Sequence, residues 1–155
     1  MNTKNTKRLS FLPVISIVLS GYFSMCFAEA PVIVLPDNPS AVEKSAAAEL
    51  SSGLNQCLGE NIEIVAESDA ENGVKFYVGA TKASKKARGN KTWQRDGVYL
   101  KSVPGGVVLD GDPVRAPIYA VDLYLEKYCG VRWWTSSEAT YPKLKNAPIE
   151  NIEYE

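Results

Sequence analysis

Between Ser40 and Gly59 the sequence specifies both ends of one helix, and that segment limits what the rest of the chain can become. Glu43 stands three residues after Ser40, the spacing at which each side chain satisfies the other's backbone N–H at a helix start. Val42, Ala46, Leu50, Leu54 and Leu58 then recur every fourth residue, with Ala47 and Cys57 widening the stripe. Gly59 follows, the residue type that most readily takes the left-handed conformation closing a helix. A helix with one apolar stripe must bury it against another layer. Its neighbours offer one. Val32-Ile33-Val34-Leu35, closed by Pro36-Asp37-Asn38-Pro39, reads as a buried strand and a turn, and Ile62-Glu63-Ile64-Val65 reads as a second strand.

Beyond the polar turn Glu67 to Gly73, Val74 to Val78 predicts a third strand ending at Gly79. The segment from Ala80 to Trp93 is polar and basic, with Arg95 just beyond it and a short helix expected over about Lys82 to Arg88. It has neither interleaved aromatics nor a Gly-rich phosphate cradle, so it reads as a solvated connection rather than an anion site. Gly97 to Val103, Pro104-Gly105-Gly106 and Val107 to Gly111 form a β-hairpin signature. Pro117 suits a first helical turn, and Ile118, Val121, Leu125 and Tyr128 fall on one face of a second long helix that Gly130 would end. Val131 to Trp134 leaves as a strand, and a loosely structured, Pro-punctuated tail from about residue 135 holds one more strand near Ile149 to Tyr154. The expected fold is α+β: a mixed, mostly antiparallel sheet with two main helices packed on one face.

Residues 1–28 have the layout of a secretory signal peptide. Lys4, Lys7 and Arg8 precede a mostly apolar run from Leu9 to Leu19, and Cys26 and Ala28 stand at the −3 and −1 positions of a cleavage site before Glu29. A retained anchor would need about 20 apolar residues, and Pro13, Ser16, Ser20 and Gly21 interrupt this run. A lipidated Cys26 is disfavoured by the Phe23-Ser24-Met25 approach to it. The expectation is an exported protein, periplasmic or extracellular, with a single domain over residues 29–155 and no membrane association after cleavage. Cleavage removes three of the 17 Lys/Arg and none of the 18 Asp/Glu, leaving a formal charge of −4. That balance argues against nucleic acid as a partner.

The sequence contains no histidine, which excludes Ser-His-Asp and Cys-His nucleophile machinery and any His-based metal site. It has no CxxC pair, no GxGxxG before a helix and no P-loop lysine, so no cofactor or metal is expected. Asp110 and Asp112 flank Gly111 and offer two carboxylates of the kind a glycosidase uses. The competing reading is that they shape the turn into the second helix, with Arg115 pairing with one of them. Trp93, Trp133 and Trp134 could stack on sugar rings or pack at an interface. A Trp pair in a strand sends one ring to each face, which would put one of Trp133 and Trp134 in the core. Both helices end in a cysteine followed shortly by glycine, Cys57-Leu58-Gly59 and Cys129-Gly130. If the helices run parallel, those ends meet, and two readings stay open: a Cys57–Cys129 disulfide, or two small buried hydrophobes.

The stretch Arg115 to Val121, continuing through Leu125-Glu126-Lys127-Tyr128-Cys129-Gly130-Val131-Arg132-Trp133-Trp134, resembles the RGxLYAVYxFLExxLGxRW segment of one domain family. That is the domain preceding the catalytic barrel in α-glucuronidases and β-hexosaminidase-like glycoside hydrolases. Ala41 to Gly59 is similar to its AAxELxxYLxxxTG helix, Val74 to Gly79 to its IxVG strand, Asp96 to Leu100 to DGFxI, and Val107 to Gly111 to LxIxG. The ordered set runs from about Val32 to Pro142. Ala116-Pro117 departs from a Gly-Thr-like pair, and Cys129 stands where leucine is usual. The barrel's catalytic carboxylates have no counterpart up to Glu155, so none carries over. The resemblance implies a non-catalytic accessory domain linked to polysaccharide degradation. Its partner would be a catalytic barrel or a polysaccharide, and the chain could be a truncated enzyme or act beside a separately encoded barrel. A free-standing glycan-binding module built on the tryptophans is the alternative.

Overall fold

The computed structural model describes residues 30–155 except Asn72; the expected signal peptide lies outside the described residues. Strand β1 (Val32–Leu35) leads into helix α1 (Ala41–Leu58) and β2 (Glu63–Ala66). Then come β3 (Lys75–Val78), the short helix α2 (Lys82–Arg88), and the hairpin β4 (Val98–Val103) and β5 (Gly106–Gly111). Helix α3 (Ala116–Lys127) and the two-residue strands β6 (Arg132–Trp133), β7 (Ala139–Thr140) and β8 (Glu153–Tyr154) complete the order. One six-stranded sheet runs β2-β1-β3-β5-β4-β8, while β6 and β7 pair only with each other.

The fold is α+β with a mixed sheet, and its balance of directions differs from expectation. In the six-stranded sheet the ladders β1–β2, β1–β3 and β3–β5 are parallel, and β4–β5 and β4–β8 are antiparallel. The cause lies in the connections. Helix α1 carries the chain back so that β2 starts beside β1 in the same direction, as a crossover must. Only the hairpin and the returning tail reverse it. A strand buried on both faces reads as a continuous apolar run, and in β1 both Ile33 and Val34, which point to opposite faces, are 0 % exposed.

Strand alternation divides the interior. Ile33, Leu35, Phe76, Val78, Leu100, Val107 and Leu109 join Leu50, Leu54, Val121, Tyr124 and Leu125 in one core, so α1 and α3 share a face of the sheet. On the other face Tyr99 donates its hydroxyl to the Ala87 carbonyl at 3.0 Å, which seats the end of α2 there.

The start of α1 does more than cap a helix. Glu43 Oε2 accepts from the Ser40 N–H at 2.7 Å and Ser40 Oγ accepts from the Glu43 N–H at 3.2 Å, closing the expected capping box. The second carboxylate oxygen, Oε1, accepts from the Ala80 N–H at 2.8 Å and ties α1 to the loop after β3. Gly79, at φ +77°, leaves room for it; a Cβ there would sit 2.2 Å from that oxygen. Glu43→Ala should therefore cost about 2–3 kcal/mol, because two part-buried N–H groups lose their acceptor. Glu43→Gln should cost roughly half as much, since an amide offers one acceptor where the carboxylate offers two. Urea titrations of both variants check the ranking; equal losses would show that the one bond an amide can keep adds nothing.

The tail from residue 135, expected to be loosely structured, has little regular structure but is fastened along its length. The Leu144 N–H and the Lys143 ammonium donate to the Cys57 and Gln56 carbonyls at 2.9 and 2.8 Å, satisfying acceptors that the end of α1 leaves open. Tyr124 donates to the Pro148 carbonyl at 2.7 Å and Ser102 Oγ to the Ile149 carbonyl at 2.6 Å, after which β8 joins β4. No helix among the described residues is long and apolar enough to cross a membrane.

Candidate functional site

Two places bring together the residues that the sequence singles out, and they lie at opposite ends of α3. The first is a hollow of about 360 Å³ beside the carboxyl ends of β3 and β5, lined among others by Glu43, Arg88, Trp93, Asp110, Asp112 and Pro117. Its floor is Asp110, whose side chain is 3 % exposed and lies 3.3 Å from the Arg88 guanidinium. Burial pushes the Asp110 carboxyl above the ordinary carboxylate range, the Gly111 N–H and Arg88 pull it back, and Glu43 adds to the rise. A carboxyl of that kind in a hollow is the usual starting material of a general acid.

Its supposed partner does other work. Asp112 accepts from the Asp96 N–H at 3.0 Å and the Val114 N–H at 3.3 Å, which shapes the turn into α3. Arg115, expected to pair with Asp110 or Asp112, instead grips Asp96 through Nε and Nη2 at 3.0 and 2.7 Å. The reason is geometric: Asp96 comes alongside from the loop before β4, and both its oxygens face the guanidinium. The i, i+2 carboxylates are thus divided between an ion pair below the surface and a turn.

Trp93 borders this hollow. Its ring lies 5.2 Å from Tyr99, and its Nε1 is buried with no hydrogen-bond partner. Most of its surface is committed to packing.

The second place is the β6–β7 hairpin after α3. The expectation that one ring of the Trp pair enters the core is not met: Trp133 is 38 % and Trp134 68 % exposed. Alternation alone misleads here because β6 is outside the main sheet and both its residues are exposed. The hairpin is nonetheless well fastened. The Trp134 N–H donates to the Glu138 carbonyl at 2.9 Å and its Nε1 to Thr140 Oγ1 at 3.0 Å, while Thr135 Oγ1 accepts from the Ser137 and Glu138 N–H groups. Arg132 donates to the Glu126 and Val131 carbonyls. The Trp134 ring is therefore presented to solvent in a fixed pose. Twelve residues of α3, about 18 Å at 1.5 Å per residue, separate it from the Trp93 hollow. The three tryptophans do not form one platform.

Cys57 and Cys129 are both buried, and no disulfide joins them in this structure. Among the described residues no group of three His, Cys, Asp or Glu side chains could hold a metal ion. No protein-family model and no curated protein matches this chain.

Proposed function

We propose that this chain is an exported, non-catalytic accessory domain of the kind that precedes the barrel in α-glucuronidase- and β-hexosaminidase-like glycoside hydrolases, and that it works by packing against such a barrel. The observation that carries the reading is the Trp133–Trp134 pair, held outside the sheet on a hydrogen-bonded hairpin with most of Trp134 in water. Large aromatics fixed in advance lose little entropy on docking and dominate interface energetics. The ordered motifs from Val32 to Pro142 supply the family, and the division of Asp110 and Asp112 between separate duties supports a role without chemistry.

The test starts from the DNA after the Glu155 codon and its neighbours. Any barrel domain encoded there is expressed, and its association with the full chain is measured by calorimetry. Trp134→Ala is expected to weaken that association by 10-fold or more. Absence of any barrel-coding stretch, or affinity indifferent to Trp133→Ala and Trp134→Ala, removes the reading. The purified chain is also expected to leave aryl glycosides intact.

The pinned Trp134 indole, with a face left open, favours a second reading: a glycan-binding module in which that ring stacks on a sugar. Intrinsic fluorescence titrated with acidic oligosaccharides separates the two. A saturable change that Trp134→Ala abolishes would favour the module; no change keeps the domain–domain reading.

A further inference from the structure

Helices α1 and α3 each follow a strand of one parallel set, β1 and β5, and return across the same sheet face. They therefore run side by side in the same direction. They pack together at Gly53, where a Cβ would fall 2.7 Å from Leu125 Cδ1 and 2.8 Å from Cδ2. The glycine leaves room for the Leu125 side chain to seat against α1. Four residues further along each chain stand Cys57, in the last turn of α1, and Cys129, just past the close of α3. Both belong to the same core cluster. Burial raises the Cys57 thiol, with Lys143 opposing. Burial also pushes the Cys129 thiol up to about 12, opposed by the Tyr124 hydroxyl and reinforced by Cys57.

We propose that Cys57 and Cys129 join in a disulfide that staples the end of α1 to the end of α3 beneath the tail. The tail lies over this point, with Leu144 bonded to the Cys57 carbonyl and Pro148 to Tyr124. In the folded, reduced chain neither thiol ionises readily, so exchange there is slow. The bond forms during folding, while both thiols are still in water. A Cys57 thiolate attacks one sulfur of a small-molecule disulfide, releasing one thiolate. The Cys129 thiolate then attacks Cys57 Sγ and releases the second. Two protein thiols are oxidised and one disulfide oxidant is reduced to two thiols. In the cell this step rests on the proposed export, because it needs an oxidising compartment; in vitro it does not.

The test refolds the reduced, unfolded full chain in a buffer of oxidised and reduced glutathione. Free thiols are then alkylated in denaturant and the protease digest is read by mass spectrometry. The expected product is one linked peptide pair holding Cys57 and Cys129, two hydrogens lighter than the sum of its halves. It should melt on the order of 10 °C above the reduced chain. The double variant Cys57→Ser/Cys129→Ser should fold to the same circular dichroism spectrum and melt near the reduced form. Folded chain with both cysteines alkylated, either one carrying glutathione, or either one linked to Cys26, would overturn the staple. None of these outcomes bears on whether Trp134 docks a barrel, so the two proposals fail separately.

Discussion

Replacing Gly106 with alanine is expected to lower the unfolding free energy by about 4 kcal/mol, because the added methyl would meet backbone more closely than at any other described glycine. A Cβ at that position would lie 1.9 Å from the Lys75 carbonyl oxygen and 2.9 Å from its carbon. Both are backbone atoms, so no rotamer change relieves the clash and the strands themselves must part. They part at a costly place. The β3–β5 ladder joins the β2-β1-β3 half of the sheet to the β5-β4-β8 half, and the Lys75 N–H reaches the Gly105 carbonyl at 2.9 Å beside it. Gly105→Ala is the control: at φ +78° it is strained but meets nothing within 4 Å, so about 1 kcal/mol is expected. Urea midpoints at constant slope measure both. A Gly106→Ala loss no larger than that of Gly105→Ala would show that β3 and β5 do not approach this closely.

Arg88→Met should cost about 3 kcal/mol at neutral pH, because it leaves the Asp110 carboxylate buried without its cation. The pH dependence carries a definite sign. Burial raises the folded pKa of Asp110 above its unfolded value. Between the two values the folded state holds more protons, so stability from this group increases as pH falls through that window and is lost as pH rises. The Arg88→Met deficit should accordingly shrink in mild acid. Asp110→Asn should cost less than about 1 kcal/mol at neutral pH, since the amide needs no counter-charge and Arg88, partly exposed, can turn to water. It should also remove the slope. A deficit in Arg88→Met that deepens on acidification would contradict the assignment.

The elements written by local rules are legible in the sequence itself. Ser40, Glu43 and Gly59 bound α1 as their spacing dictates, the short helix Lys82–Arg88 falls where expected, and Pro104-Gly105-Gly106 turns the hairpin. Pro117 sits in the first turn of α3. Gly130 lies past that helix with φ +76°, although the helix closes earlier, on Tyr128. What local rules do not reach is pairing between distant segments. Four-residue strands carry the same apolar pattern whichever way their neighbours run, so the excess of parallel ladders stays hidden. Asp110 reads as a turn former because nothing next to it in sequence announces Arg88, 22 residues earlier and on a separate helix. The bond from Ala80 to Glu43 is equally silent, spanning 37 residues. At the Trp pair the local rule is sound but its premise fails, since alternation sorts inside from outside only where one face is covered, and both residues of β6 are exposed.

The parallel centre has a consequence for how the chain finds its shape. Strand β1 has partners on both sides, and each arrives only after a long excursion: Val32 meets Glu63 across α1 and Lys75 beyond that. The β4–β5 arms, joined by a tight turn, can zip from adjacent residues with little loop entropy to overcome. Assembly should therefore begin in the second half of the molecule, on the hairpin and α3, and end when the first strand slides into the gap left for it. During that interval the most apolar strand of the sheet is the last to leave water.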